Sequence, residues 1–212
     1  MAKCPANDAR PLDDLPFTKM RGPLIILSGP SGSGKSTVVQ RLLAAPPGPL
    51  RLSVSATTRS PRAREIDGAD YYFWSRERFE QELGKNAFLE HAVVHGADYY
   101  GTLRQEVEPY LARGIGVILD IDVQGAEQVR SRYPDHVSVF LKAPSMAEYE
   151  RRLRARGTED ERTIARRIET AYAELDHASG YQYQITNDDL ARAAAELREV
   201  VAREFERNRN AG

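Results

Sequence analysis

The stretch Gly29-Pro30-Ser31-Gly32-Ser33-Gly34-Lys35-Ser36-Thr37 satisfies G-x-x-x-x-G-K-[ST] and follows directly on the apolar run Leu24-Ile25-Ile26-Leu27. A glycine-rich turn that leaves a buried strand and enters a helix aims successive backbone N–H groups inward, where they meet a polyphosphate at the positive end of the helix dipole. In that pattern Gly29, Ser31, Gly32, Ser33 and Gly34 shape the cradle, and Lys35 brings a point charge to the β- and γ-phosphates. The Ser36 hydroxyl, with Thr37 beside it, completes the shell of a bridging Mg²⁺. A glycine-rich turn with a lysine nearby would satisfy the letters alone. Context separates the two: a strand precedes, and Val38, Val39, Leu42 and Leu43 follow at helical spacing. The expectation is a nucleoside triphosphate site with Mg²⁺.

Further apolar runs lie at Leu52 to Val54, Ile115 to Leu119, Val137 to Leu141 and Tyr183 to Thr186, with helical patterns between them. That alternation predicts an α/β fold with a five-stranded parallel sheet covered on both faces. Ser145 with Glu148 and Thr158 with Glu161 read as capping boxes, and Gly114 and Gly180 as left-handed helix ends. A last helix is expected from about Asp188, docking through Leu190, Ala194, Leu197, Val201 and Phe205.

A chain of 212 residues suits one core with small insertions. Its 30 basic and 31 acidic residues give a net charge of −1, which points to neither a nucleic-acid nor an anionic-membrane partner. No run nears the ~18 apolar residues of a membrane helix. Cys4 has no partner cysteine in the chain, which fits a reducing, cytoplasmic setting. Residues 1–20 are Pro-rich, with mixed charge and no apolar signal core, and are expected to form a flexible leader.

Two stretches interrupt the alternation. Ser55 to Arg113 is rich in tyrosine and glycine with only short apolar runs, and Met146 to Ser179 holds Arg151, Arg152, Arg154, Arg156, Arg162, Arg166 and Arg167. Insertions at such points in a P-loop core are where a second substrate and a closing lid sit.

Ile118-Leu119-Asp120 ends an apolar strand in a carboxylate, as a Walker B acid does when it holds the Mg²⁺ shell. In Ser53-Val54-Ser55-Ala56-Thr57-Thr58-Arg59-Ser60-Pro61-Arg62, two arginines three apart suit a monophosphate clamp, although a solvated basic loop reads the same way. The Tyr71 and Tyr100 hydroxyls favour the clamp. Glu90 and Asp122 are carboxylates able to accept paired donors such as guanine N1–H and N2–H₂, while their spacing alone also describes solvated acids. Arg152, Arg156 and Arg167 can neutralise phosphoryl charge, and Glu148 with Arg152 and Glu150 with Arg154 also describe a paired charged helix face. His91 and His95 depart from H-E-x-x-H and lie in a β-branched run, which argues against a metal site.

Taken together these strings resemble the guanylate kinases, from about Arg21 to Phe205. The likeness rests on Ser28 to Thr37, Ser53 to Arg62, Gly68-Ala69-Asp70-Tyr71-Tyr72-Phe73, Tyr99-Tyr100-Gly101-Thr102, Leu119-Asp120-Ile121-Asp122-Val123-Gln124-Gly125, Arg152 to Gly157 and Asn187-Asp188-Asp189. The resemblance implies a P-loop kinase core (residues 21–54, 113–145 and 180–212), a GMP-binding insertion (55–112) and a helical lid (146–179). The implied reaction moves the γ-phosphoryl of ATP to GMP. By the same resemblance Ser55, Glu90, Thr102 and Asp122 read guanine, and Arg59, Arg62, Tyr71 and Tyr100 hold the GMP phosphate. Arg152, Arg156 and Arg167 match the lid arginines, and Asn187 lies beside adenine. A non-catalytic guanylate-kinase-like interaction domain and a kinase for another nucleoside monophosphate are the alternatives. The intact Lys35, Ser36 and Asp120 weigh against the first, and Glu90 with Asp122 against the second.

Overall fold

Five parallel strands form the central sheet of the computed structural model, which describes residues 21–94, 98–155 and 161–210. The sheet comprises β1 (Leu24–Ser28), β2 (Leu50–Leu52), β7 (Gly116–Asp120), β8 (His136–Lys142) and β9 (Tyr183–Thr186), in the order β2-β7-β1-β8-β9. Every residue of β1 is buried, so its alternate side chains feed two cores. Ile25 and Leu27 pack with α1 (Lys35–Ala44) and α7 (Leu190–Asn210) through Val38, Val39, Leu42, Leu197 and Val201. Leu24 and Ile26 pack on the other face with Leu111 of α3 (Glu108–Leu111) and with Ala126 and Val129 of α4 (Val123–Arg132).

A second sheet occupies the tyrosine-rich stretch. It comprises β3 (Ser55–Thr57), β4 (Tyr72–Phe73), β5 (Phe88–Val94) and β6 (Asp98–Leu103), in the order β4-β3-β6-β5. Its own core joins Ala56, Trp74, Phe88 and Leu103 to Phe79 of α2 (Arg76–Gly84). The arginine-rich stretch forms α5 (Met146–Ala155) and α6 (Glu161–Leu175). No helix among the described residues is long and apolar enough to cross a membrane.

Several boundaries differ from expectation. β2 ends at Leu52: Ser53 N–H still bonds to the Ile118 carbonyl (2.9 Å), but the chain then leaves for the second sheet, so Val54 is a buried crossing residue. The last helix starts one residue beyond Asp189, whose carboxylate accepts from Arg192 N–H (2.8 Å), and not at Asp188. Gly114 is left-handed (φ 75°), whereas Gly180 ends a 3₁₀ turn without positive φ. Ser145 caps Glu148 N–H at 3.3 Å. The leader with Cys4, His95, Arg156 and the Thr158 capping box lie outside the described residues.

Phe79 is fully buried, with its ring centroid 4.3 Å from that of Phe88 and 5.1 Å from that of Tyr99. Phe79→Ala is expected to cost about 3–5 kcal/mol by leaving a cavity in the small second core. Chemical denaturation monitored by far-ultraviolet circular dichroism checks this, and a loss under about 1 kcal/mol would contradict the cavity argument.

Candidate active site

Between the C-terminal end of the central sheet and the second sheet lies a cleft of about 700 Å³, ringed by Gly29, Ser31, Lys35, Ser55, Tyr71, Glu90, Tyr100, Asp120, Asp122 and Arg167 among others. It opens outside the carboxyl ends of parallel strands, where α/β folds place their ligands.

On one wall is the P-loop. Gly34 caps α1 in the left-handed region (φ 92°) with no side-chain hydrogen bond, so the first N–H groups of the helix stay available to an anion. A Cβ at this position would collide with the Asn187 carboxamide, which packs directly over it. Asn187 is buried and donates to the Ser33 carbonyl at 2.8 Å. Arg152 reaches the same loop, donating to the carbonyls of Ser33 (3.2 Å) and Asn187 (2.8 Å) while Glu148 holds its Nε at 2.6 Å. Arg167 donates to Ser31 Oγ at 3.2 Å. Arg152 of α5 and Arg167 of α6 therefore both touch the loop, and Asn187 acts as its brace.

Lys35 Nζ donates to the Gly29 carbonyl at 2.5 Å and stands 3.8 Å from Asp120. Asp120 is crowded by protein yet keeps 32% of its side chain open to the cleft; burial pushes its carboxyl up and Lys35 draws it back. Asp120 and the exposed Ser36 offer hard oxygen donors of the kind Mg²⁺ takes. No group of three or more His, Cys, Asp or Glu among the described residues could hold a metal ion unaided. That donor set fits an ion held jointly with phosphate oxygens.

Three strands of the second sheet form the opposite wall. Register aligns Ser55 of β3 with Thr102 of β6, and Thr102 with Glu90 of β5. The Ser55 and Thr102 hydroxyls are 3.3 Å apart, and Thr102 N–H donates to Glu90 at 2.9 Å. Glu90 is only 4% exposed; burial pushes its carboxyl up to about 7, Thr102 opposes the rise, and Asp122 adds to it. Asp122 caps α4 by accepting from Gly125 N–H at 2.8 Å. The helix start presses so closely on Glu90 that a Cβ on Gly125 would strike its carboxylate.

Arg59 sits behind Tyr71 and Tyr100. It donates to the Tyr100 hydroxyl at 3.0 Å and forms a two-pronged pair with Glu65, both bonds 2.9 Å. Arg62 is 64% exposed on the rim, 3.8 Å from the same Glu65, so the two arginines share one acid. Burial pushes the Tyr71 hydroxyl well up, and the Asp120 charge adds to it, so Tyr71 stays a protonated donor beside the P-loop.

Glu65 is the residue that motif reading passed over, although Arg59, Arg62 and Glu65 recur at a spacing of three. Thr170, Glu174 and His177 also line the cleft. With Arg167 they follow a three-four-three spacing along α6 and just past its end, a polar stripe that is legible once the helix is known to face a ligand. Burial pushes Glu174 up, and the Lys35 charge opposes that rise.

Comparison with known proteins agrees with this geometry. The family model described as guanylate kinase matches residues 21–204. A guanylate kinase of Symbiobacterium thermophilum is 50% identical over 186 residues, covering 88% of this chain and 87% of that protein. One from Escherichia coli K12 is 45% identical over 185 residues, covering 87% and 89%. The crystal structure of guanylate kinase from Anaplasma phagocytophilum superposes with a TM-score of 0.71 at 31% identity, covering 88% of each chain.

Gly125→Ala is expected to displace the Glu90 carboxylate and weaken GMP binding about tenfold or more while ATP binding stays within about twofold. Calorimetric titration of each nucleotide checks this; equal losses for both would mean the methyl disturbs the core instead.

Proposed function

The chain belongs to the guanylate kinase family, and on that premise we propose how its residues divide the labour. It moves the γ-phosphoryl of ATP to GMP, giving ADP and GDP. The observation that carries the assignment is that Ser55 and Glu90, held in register through the buried Thr102 behind them, line one cleft with the P-loop residue Lys35 and with Asp120.

In this reading ionised Glu90 accepts from guanine N1–H and N2–H₂, with Asp122, Ser55 and Thr102 completing the base pocket. Adenine lacks that donor pair. Arg59, Arg62, Tyr71 and Tyr100 take the GMP phosphate. Glu65 holds the guanidinium plane of Arg59 and cancels one of the two positive charges, so the clamp orients more than it attracts.

The P-loop amides and Lys35 hold the ATP phosphates, Asn187 supports the loop beside the adenine, and Arg152, Arg156 and Arg167 neutralise the phosphoryl group in transit. Asp120 and Ser36, together with the phosphates, would hold Mg²⁺, which would supply further neutralisation there. No general base is needed, since the attacking phosphate oxygen is already anionic. Positioning and exclusion of water carry the rate, because trapped water would divert the phosphoryl group to hydrolysis. dGMP belongs to the same acceptor class, and the setting is cytoplasmic.

ADP formation measured with GMP, dGMP, AMP, CMP and UMP tests this. GMP and dGMP are expected to turn over and the others to lag far behind; Glu90→Gln is expected to lower kcat/KM for GMP about 10- to 300-fold by facing a donor against donors. Comparable turnover of AMP would overturn the base assignment.

A pH dependence follows from the raised Glu90. The fold favours its protonated form, so ionisation costs stability progressively as pH rises from about 4.5 toward 7. GMP needs the carboxylate, so its affinity should rise through pH 7, falling up to tenfold per unit below it. The GMP phosphate also titrates, near a pKa of about 6. The slope present in the wild type and missing from Glu90→Gln is therefore the one to read in calorimetric titrations. Equal slopes in both would mean Glu90 does not titrate on binding.

A further inference from the structure

We propose that the buried pair Arg51–Glu106 is a positioning device for the acceptor-phosphate clamp: through the Tyr72 hydroxyl it fixes strand β4 to the core, and with it Tyr71 and Arg59. Arg51 lies on β2, just before the chain crosses into the second sheet at Ser53 and Val54. Glu106 lies in the 3₁₀ turn Arg104–Glu106, where the chain crosses back. Arg51 Nη2 donates to the Glu106 carboxylate at 2.7 Å, and Nη1 to its backbone carbonyl at 2.6 Å, so the pair ties the outbound and returning crossings together. The guanidinium is 3.7 Å from the ring centroid of Tyr110 in α3. Tyr72 donates to the other Glu106 oxygen at 2.8 Å. Arg51 and Glu106 are 8% and 7% exposed.

A buried ion pair is weak evidence for stability, because desolvation offsets its attraction and apolar pairs of similar volume often serve as well. Its geometry explains more. The second sheet has two edges, β5 and β4. The β5 edge is fixed to α4: Gln128 exchanges hydrogen bonds with the His91 backbone (2.7 and 3.3 Å), and Arg132 donates to the Leu89 carbonyl at 3.0 Å.

The β4 edge is a two-residue strand that pairs with β3 on one side and on the other meets only its own preceding turn among the described residues, where Phe73 N–H donates to the Asp67 carboxylate at 2.8 Å; Tyr72 ties it to the pair at the crossings. Neighbouring residues on an extended segment face opposite ways. As Tyr72 turns toward Glu106, Tyr71 and Phe73 turn toward Arg59, whose guanidinium carbon is 5.6 Å from each ring centroid. Tyr71 in turn meets Tyr100 edge-on at 5.9 Å. Rotation of β4 about its short pairing would therefore shift the phosphate clamp and leave the P-loop untouched.

The inference rests on the assignment of Arg59 and Tyr71 to the GMP phosphate. Two variants test it in steady-state kinetics alongside thermal melting. Tyr72→Phe removes one hydroxyl, and Arg51→Met with Glu106→Leu replaces the pair by apolar side chains. Each is expected to raise KM for GMP about 3- to 20-fold with KM for ATP within about twofold. The double variant should melt near wild type, and adding Tyr72→Phe to it should raise KM no further, since the hydroxyl acts through Glu106.

Unchanged KM for GMP in folded variants overturns the proposal, as do GMP and ATP parameters that worsen together in step with melting temperature, or additive effects in the triple variant. Arg59→Ala serves as the reference. If it leaves KM for GMP unaltered, the clamp assignment fails and the inference with it; if it raises KM and the crossing variants do not, the inference alone fails.

Discussion

A loop that turns its backbone through left-handed glycines has few hydrogen bonds of its own to hold its shape, and most of this site is arranged around holding one such loop in place. α1 begins at a left-handed glycine with no side-chain cap. The loop is kept in shape by Asn187 after β9, by Arg152 from α5 and Arg167 from α6, and by Lys35 closing back on Gly29. Each of these donors meets a loop carbonyl or hydroxyl and so does not compete for the loop N–H groups, of which that of Ser33 is paired with the Pro30 carbonyl at 3.0 Å. The two layers of apolar side chains around β1 make the strand beneath the loop rigid enough for this to hold.

The opposite wall solves a different electrostatic problem. A carboxylate proposed to read guanine must be dry enough to discriminate, and drying raises its affinity for a proton. The fold places Glu90 almost out of water, gives it one backbone N–H from Thr102, and sets Asp122 nearby with one oxygen committed to capping α4. The phosphate side is balanced in the same spirit. Arg59 and Arg62 share Glu65, which offsets part of their positive charge and orients the Arg59 guanidinium. Pre-orientation of this kind lowers the entropy that substrate binding must overcome.

Much of the candidate site was legible in the sequence because its signals are local. The P-loop, the strand-terminal Asp120 and the Arg59–Arg62 spacing each depend on residues a few positions apart, and a short segment with special geometry leaves its mark in glycine, proline and hydroxyl placement. The second sheet was not legible as a sheet. Its strands run from two to seven residues, and their cleft-facing positions are polar for functional reasons, so the alternation that announces a half-buried strand is broken where the site lies. The end of β2 was misplaced for a related reason: Val54 is apolar because it is buried between two sheets, and a propensity argument cannot tell a crossing residue from a strand residue.

By itself, then, the sequence determined the α/β alternation, the phosphate loop, the family and the inventory of acids and arginines available to a second nucleotide. Tertiary structure alone decided which acid is dry, which arginine is already engaged, and which distant residues meet. Glu90 takes its proton affinity from burial, to which Asp122 at the start of another helix adds, Arg152 and Asn187 become loop braces only when α5 and the end of β9 converge, and Arg51 finds Glu106 across 55 residues of chain. Burial and charge proximity are properties of the folded surroundings, and no residue carries them in its own letter.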